Sequence, residues 1–218
     1  SIFINAGEVL TSFSIPGNGP FGITVDSNGN LISVDSGTET IYIHDGISAT
    51  TTSSFNSPGS NPQGLNIDNN NNLISCDTGT NPGKIYVHQG ISSTITSSFN
   101  SPSSNPRGLA IDSNGNLISV DNNTDKIYVH QGISSTVTSS FDGPGNNPTG
   151  LNIDNNGNLI SCDAGTDKIY IHDGISSQIT SSFDSPGNFP KGLTIDPNTG
   201  NLIVVAYDGE YKFYIVKL

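Results

Sequence analysis

The chain of 218 residues carries few charges and very few cations. Only 12% of its residues are charged, and 7 Lys and Arg against 19 Asp and Glu give a formal net charge of −12. Such a surface repels phosphate backbones and anionic lipids, so we expect no nucleic-acid partner. No apolar run approaches the roughly 18 residues of a membrane-spanning helix, so no membrane insertion is expected.

Methionine and tryptophan are absent, and patterns typical of helices are missing as well. No window shows a sustained 3.6-residue apolar period with capping residues, so almost no helix is expected. The lack of methionine, the low lysine content and the abundance of serine and threonine favour an extracellular or cell-surface protein.

The chain consists instead of one unit of about 42 residues that occurs five times. The copies align on a glycine that precedes an apolar pair and an aspartate: Gly22, Gly64, Gly108, Gly150 and Gly192. Each copy has four short runs of β-branched and aromatic residues, separated by turns rich in Asn, Gly and Asp. Four antiparallel strands in a repeat of this length are typical of a β-propeller blade. We therefore predict an all-β, five-bladed propeller of four-stranded blades, in one domain over residues 1–218.

The two ends of the chain complement each other in this scheme. The last copy ends with a third strand at 213–216 and has no fourth strand, whereas residues 9–13 match a fourth strand before the first copy begins. An open ring would expose unpaired strand edges. We predict that the N-terminal strand completes the last blade, with a largely buried set of apolar side chains: Val9, Leu10, Phe13 and Ile15. Residues 2–4 resemble a surplus third strand.

The third copy reads Asn-Pro-Arg-Gly-Leu-Ala-Ile-Asp-Ser-Asn-Gly-Asn, followed by Leu-Ile-Ser-Val-Asp and Lys-Ile-Tyr-Val. This motif resembles the NHL repeat, which has Pro-x-Gly-Ile-x-Val-Asp, Asp/Asn-Gly-Asn and a basic residue before Ile-x-Val. The resemblance covers nearly the whole chain and implies a propeller whose first strands line a central channel. NHL propellers commonly have six blades, whereas this chain encodes five. Related propellers include RNA-binding modules, protein-binding modules, lactonase-like hydrolases and lyases, so the fold does not select a function.

One ring of carboxylates ends the first strands: Asp26, Asp68, Asp112, Asp154 and Asp196. An aspartate at this place usually accepts hydrogen bonds from the backbone of its own turn. The alternative is a metal site, in which carboxylates near one channel mouth hold Ca²⁺ through oxygen ligands. No other cofactor is expected.

A second ring closes the second strands at the opposite mouth, and each aspartate is followed three residues later by a threonine. Its members are Asp35, Asp77, Asp121 and Asp163 with Thr38, Thr80, Thr124 and Thr166. Hydrogen bonds within the loop are the ordinary role of such aspartates. A face rich in Asp, Thr and Asn could also bind a ligand, a sugar or a cation.

Histidine and cysteine occur at repeated positions too. The histidines end the third strands of four copies: His44, His88, His130 and His172. They should be too dispersed to share a zinc ion, so we expect a packing or solvent role and titration in the usual range. Cys76 and Cys162 stand where other copies have valine, which favours buried thiols over a disulfide.

The first strands show no nucleophile–base or acid–base pair. Their variable positions hold small neutral residues: Thr24, Asn66, Ala110, Asn152 and Thr194. We therefore expect a binding, interaction or structural module with a protein or carbohydrate ligand, and no catalytic residues. The alternatives are a metal-dependent hydrolase or lyase similar to the lactonase-like propellers, and a subunit of a larger extracellular assembly.

Overall fold

The computed structural model describes residues 5–218, so the surplus strand predicted at residues 2–4 lies outside the described residues. Blade 1 consists of β2 (Pro20–Val25), β3 (Leu31–Asp35), β4 (Thr40–His44) and β5 (Thr51–Asn56). Blade 2 consists of β6 (Pro62–Ile67), β7 (Leu73–Asp77), β8 (Lys84–His88) and β9 (Ile95–Asn100). Blade 3 consists of β10 (Pro106–Ile111), β11 (Leu117–Asp121), β12 (Lys126–His130) and β13 (Val137–Asp142). Blade 4 consists of β14 (Pro148–Ile153), β15 (Leu159–Asp163), β16 (Lys168–His172) and β17 (Ile179–Asp184). Blade 5 consists of β18 (Asn188–Ile195), β19 (Leu202–Tyr207), β20 (Tyr211–Val216) and the N-terminal β1 (Val9–Ser14).

Every blade is an antiparallel sheet in which neighbouring strands follow one another along the chain, apart from β1. The five inner strands contact one another in a ring, and β18 of the last blade touches β2 of the first. The described residues contain no helix long and apolar enough to cross a membrane. The predicted five-bladed β-propeller is confirmed.

The ring closes through β1, as predicted. This strand pairs with β20, and Phe13 lies opposite Phe213 with their ring centroids 5.2 Å apart. The predicted burial is wrong for Val9 and Leu10, which are 44% and 42% exposed. Phe13 and Ile15 are half-buried. The reason is that β1 is the outer edge of its blade, where the sheets have diverged from the axis and both faces meet solvent.

Apolar residues form the core between adjacent blades, in five clusters. Nearer the axis, the repeated glycine brings neighbouring inner strands into close contact. A Cβ added at Gly64 would lie 2.4 Å from the carbonyl oxygen of Arg107, and one at Gly192 would lie 2.4 Å from that of Phe21. Only glycine fits where backbones approach this closely. The axis is consequently almost closed, with a cavity of about 10 Å³, no larger than a single water needs.

Candidate functional site

The carboxylates at the end of the inner strands are bound by their own turns. Asp112 Oδ1 accepts the backbone N–H groups of Asn114 and Asn116 at 2.9 and 2.8 Å, and Asp26, Asp68 and Asp154 make the same pair of bonds. Asp196 accepts from the backbone of Asn198 and the hydroxyl of Thr199. Within residues 5–218, no three His, Cys, Asp or Glu side chains come together in a way that could hold a metal ion. Calcium binding by this ring stays a prediction.

The second ring of aspartates lies at the other end of the inner strands, since Asp121 pairs with Pro106 at the start of β10. Asp121 Oδ2 accepts the N–H of Asn105 at 2.8 Å, and its Oδ1 accepts the N–H groups of Asn123 and Thr124 at 2.9 and 3.1 Å. The four aspartates are at most 2% exposed, so they anchor each inner strand to the following hairpin.

The threonines of this ring differ from blade to blade. The backbone N–H groups of Thr38 and Thr166 also donate to the aspartate of their blade, whereas the Thr80 hydroxyl donates to the carbonyl of Pro82. Ligand binding by the aspartates and threonines stays a prediction. Blade 5 lacks the anchor, because Ala206 stands in place of the aspartate.

The residues that meet over the axis at this mouth are those between the proline and the glycine of each copy. They are five unlike side chains: Phe21, Gln63, Arg107, Thr149 and Lys191. Arg107, Thr149 and Lys191 line the axial cavity. We call these five residues the axial mouth. Each is placed by a rigid inner strand, which begins one residue earlier at the proline in blades 1 to 4.

Two cations converge on one aromatic ring in the axial mouth. The Arg107 guanidinium carbon lies 5.1 Å from the centroid of the Phe21 ring, and Lys191 Nζ lies 4.7 Å from the same centroid. The Arg107 Nη1 donates a hydrogen bond of 2.8 Å to Gln63 Oε1. The Thr149 hydroxyl donates to the carbonyl of Pro190 at 2.6 Å. The mouth therefore presents concentrated positive charge over an apolar base.

Neither cation has a carboxylate oxygen within 4 Å among residues 5–218, and the effect of burial on the pKa of Arg107 outweighs the charge of Asp121, which raises that pKa. The ion pairs of the described chain involve Lys126, Lys168 and Lys212 instead. The buried Nε of Arg107 also lacks a hydrogen-bond partner in the described part. Burial lowers the pKa of the Arg107 guanidinium, and burial together with the positive charge of Arg107 lowers the pKa of the Lys191 amine. Unpaired, partly desolvated cations of this kind attract an anion.

Sequence reasoning missed this site, although a signal was present. The position of Thr24 and its equivalents, where any unlike groups are expected from the sequence, holds small residues within the inner strands. There Asn66 Nδ2 donates to the carbonyl of Leu109, and Asn152 Nδ2 donates to the hydroxyl of Thr194, both at 3.0 Å. The position one residue before the glycine varies from Phe to Lys between nearly identical flanks, and that contrast marks the axial mouth.

The histidines lie between blades, and their titration was predicted wrongly. His130 Nδ1 lies 2.7 Å from the carbonyl of Ser134, so this nitrogen carries the proton and Nε2 accepts from the Ser119 hydroxyl at 2.8 Å. The ring packs against Phe99 of the preceding blade. Burial lowers the pKa of all four histidines from the usual value: His44, His88, His130 and His172. In blade 5 both partners are replaced, by Val204 and Val216.

The cysteines are buried and free, which confirms the prediction that they act as small apolar residues. Cys76 and Cys162 touch the glycines of their own inner strands, Gly64 and Gly150. Burial raises the pKa of both thiols to about 12. They are therefore poor nucleophiles.

Comparison with known proteins supports the fold and goes no further. No family model matches the chain, and no curated protein matches its sequence. A glutaminyl cyclase from Myxococcus xanthus superposes with a TM-score of 0.80 at 13% identity, covering 97% of this chain and 95% of that one. A gluconolactonase from Xanthomonas campestris superposes with a TM-score of 0.65 at 14% sequence identity, covering 90% of this chain and 72% of that one. A streptogramin B lyase superposes with a TM-score of 0.59 at 20% sequence identity, covering 89% of this chain and 65% of that one. The chain is a β-propeller, and membership of the NHL family is not shown.

Proposed function

We propose that this propeller binds a small organic anion, a carboxylate or a phosphate ester, at its axial mouth. The observation that carries the proposal is the pair Arg107 and Lys191, which converge on Phe21 with no carboxylate within 4 Å in residues 5–218. These are two of only seven cations in a chain of net charge −12. An acidic protein that holds two unpaired cations together at one place gains from an anionic ligand there.

The ligand would rest on the mouth and would not enter the channel. The cavity beneath the mouth has about 10 Å³, which leaves room for one water at most. Arg107 carries a planar fork of donors that suits a carboxylate or phosphate, while its Nε is buried and has no hydrogen-bond partner in the described structure. Lys191 adds a point charge. Gln63 and Thr149 are 1% and 2% exposed, so they act from beneath, and Gln63 Oε1 holds Arg107 Nη1 in place.

Thermal shift with a panel of anions tests the proposal. Oxalate, malate, citrate, phosphate and glycerol phosphate are added at millimolar concentration, and binding to the folded state raises Tm by mass action. We expect at least one anion to raise Tm by several degrees in the parent and by much less in Arg107→Gln and Lys191→Gln. The matched control is Lys84→Gln, which removes an equal charge from an outer lysine that faces Asn100. Equal shifts in all variants would contradict the proposal.

The second candidate is an enzyme that acts on such an anion, and the enzymes among the structures of similar fold favour it. The axial mouth holds no His, Cys, Asp or Glu, so Lys191 is the one side chain there with the chemistry of a general base. Its pKa is lowered by burial and by Arg107, which brings a lysine nearer to that role. A lyase reaction that begins with proton abstraction beside a carboxylate suits this arrangement better than metal-assisted hydrolysis.

Lys191→Arg separates the two candidates. Arginine keeps the positive charge and cannot give up its proton, so a purely binding mouth retains most of its affinity in this variant. An enzyme retains binding of the anion and loses turnover. Location outside the cell, a protein or carbohydrate partner, and a role as an assembly subunit remain predictions beside either candidate.

A further inference from the structure

A second cleft lies where the ring closes, between blade 5 and the start of blade 1. It has a volume of about 360 Å³ and is separate from the axial mouth. Its walls come from the β19–β20 hairpin and from the segment that leads from β1 into β2. The residues that line the cleft include Tyr207, Glu210, Tyr211, Asn18, Ile15 and Pro20. We call this the closure cleft.

The closure cleft exists because blade 5 departs from the repeat in its hairpin. Blades 1 to 4 begin this hairpin with the buried aspartate, which blade 5 replaces with Ala206. Tyr207 and Tyr211 then pair across the turn, with Gly209 at φ 75°. Their ring centroids are 5.1 Å apart and the rings stand edge to face. Tyr207 is 37% exposed, and Tyr211 packs on the core cluster around Phe213.

The charges at the closure cleft select the sign of a ligand. Glu210 stands on the hairpin turn with 68% of its side chain exposed, and its bond to Lys212 is 3.4 Å long. The other two ion pairs of the described chain measure 2.7 and 2.8 Å, so this carboxylate is held more loosely. The net charge of −12 adds a negative field over the whole surface. A cation is therefore attracted here, while a neutral sugar gains nothing from these charges.

We propose that the closure cleft binds an organic cation with a quaternary or alkylated ammonium head. Such a head is too weakly hydrated to prefer water strongly, and the faces of tyrosine rings attract it electrostatically. Tyr207 and Tyr211 supply two walls set at an angle, Glu210 supplies the counter-charge, and Ile15 and Pro20 supply apolar contact for the methyl groups. The site is independent of anion binding at the axial mouth.

Tyrosine fluorescence measures this binding, because the protein has no tryptophan. Choline and tetramethylammonium are titrated against 3,3-dimethylbutan-1-ol, the uncharged isostere of choline. We expect both cations to saturate the signal and the isostere to bind at least about fivefold more weakly. Tyr207→Ala should weaken choline binding by a similar factor, Tyr207→Phe should retain it, and Glu210→Gln should weaken it severalfold.

Two control variants locate the effect. Tyr86→Ala removes a tyrosine from the third strand of blade 2 and should leave choline binding unchanged. Arg107→Gln changes the axial mouth and should also leave choline binding unchanged. Choline and its isostere binding equally to the parent protein would overturn the proposal, without any dependence on how the variants fold. So would unchanged choline affinity in Tyr207→Ala.

Discussion

Replacing Gly64 with alanine tests the contact that closes the axis. The added Cβ would lie 2.4 Å from the carbonyl oxygen of Arg107, about 1 Å inside ordinary van der Waals contact, and the obstacle is the backbone of the next blade. Neither strand can move alone, because each is paired within its own sheet and packed in the ring. Overpacking of this kind costs about 1–3 kcal/mol. For a chain of this length, about 2 kcal/mol lowers Tm by roughly 4–8 °C.

Differential scanning calorimetry of the Gly64→Ala variant and of the parent protein measures this difference in Tm. The control is Gly143→Ala, where the nearest atom, the carbonyl oxygen of Asp125, is 3.2 Å away and a small adjustment relieves the contact. We expect the control to melt within about 2 °C of the parent. A Gly64→Ala protein that melts like the control would refute the reasoning, since the inner strands would then have room to separate.

Three further predictions concern the buried histidines, the thiols and the closing strand. The lowered pKa of the four histidines means that the folded state binds fewer protons than the unfolded chain below pH 6.5. Tm should therefore be constant above pH 6.5 and fall below it, and replacing Ser119 and His130 together with valine, as in blade 5, should reduce that fall. Cys76 and Cys162, with pKa values of about 12, should react with a thiol reagent at neutral pH only after denaturant is added. Deleting residues 1–15 removes β1 and should produce oligomers or an unfolded chain in sedimentation experiments, because β20 becomes an open edge. A flat pH profile, rapid labelling of the native thiols, or a monomeric deletion variant with the parental Tm would each contradict the corresponding argument.

Sequence periodicity predicts most of this fold because every blade has a similar local sequence pattern. Asp-x-Asn-Gly turns and short β-branched runs specify hairpins, and the missing fourth strand of the last copy specifies the closure by β1. Exposure of Val9 and Leu10 was not predictable from their apolar character, because it depends on how far neighbouring blades diverge from the axis. The lowered pKa of the histidines was likewise not predictable, because it depends on how deeply their rings pack between blades.

The candidate sites could not be predicted from the repeated residues, because they lie at positions where the copies differ. The repeated aspartates were predicted as site residues because they form rings, yet their carboxylates accept hydrogen bonds from backbone N–H groups of nearby loops. Arg107 and Lys191 stand 84 residues apart in different copies, and only the closed ring brings them over Phe21. Closure of the ring likewise brings Tyr207 and Glu210 to the N-terminal segment.

Isothermal titration calorimetry of the axial mouth tests the central claim most directly. The panel anion that raises Tm most is titrated into the parent, into the double variant Arg107→Gln/Lys191→Gln, and into Lys84→Gln. We predict one site per chain in the parent and in Lys84→Gln, with affinity that falls as salt is added, and no measurable binding in the double variant. Binding of equal affinity in the double variant would contradict the assignment of the axial mouth as the anion site.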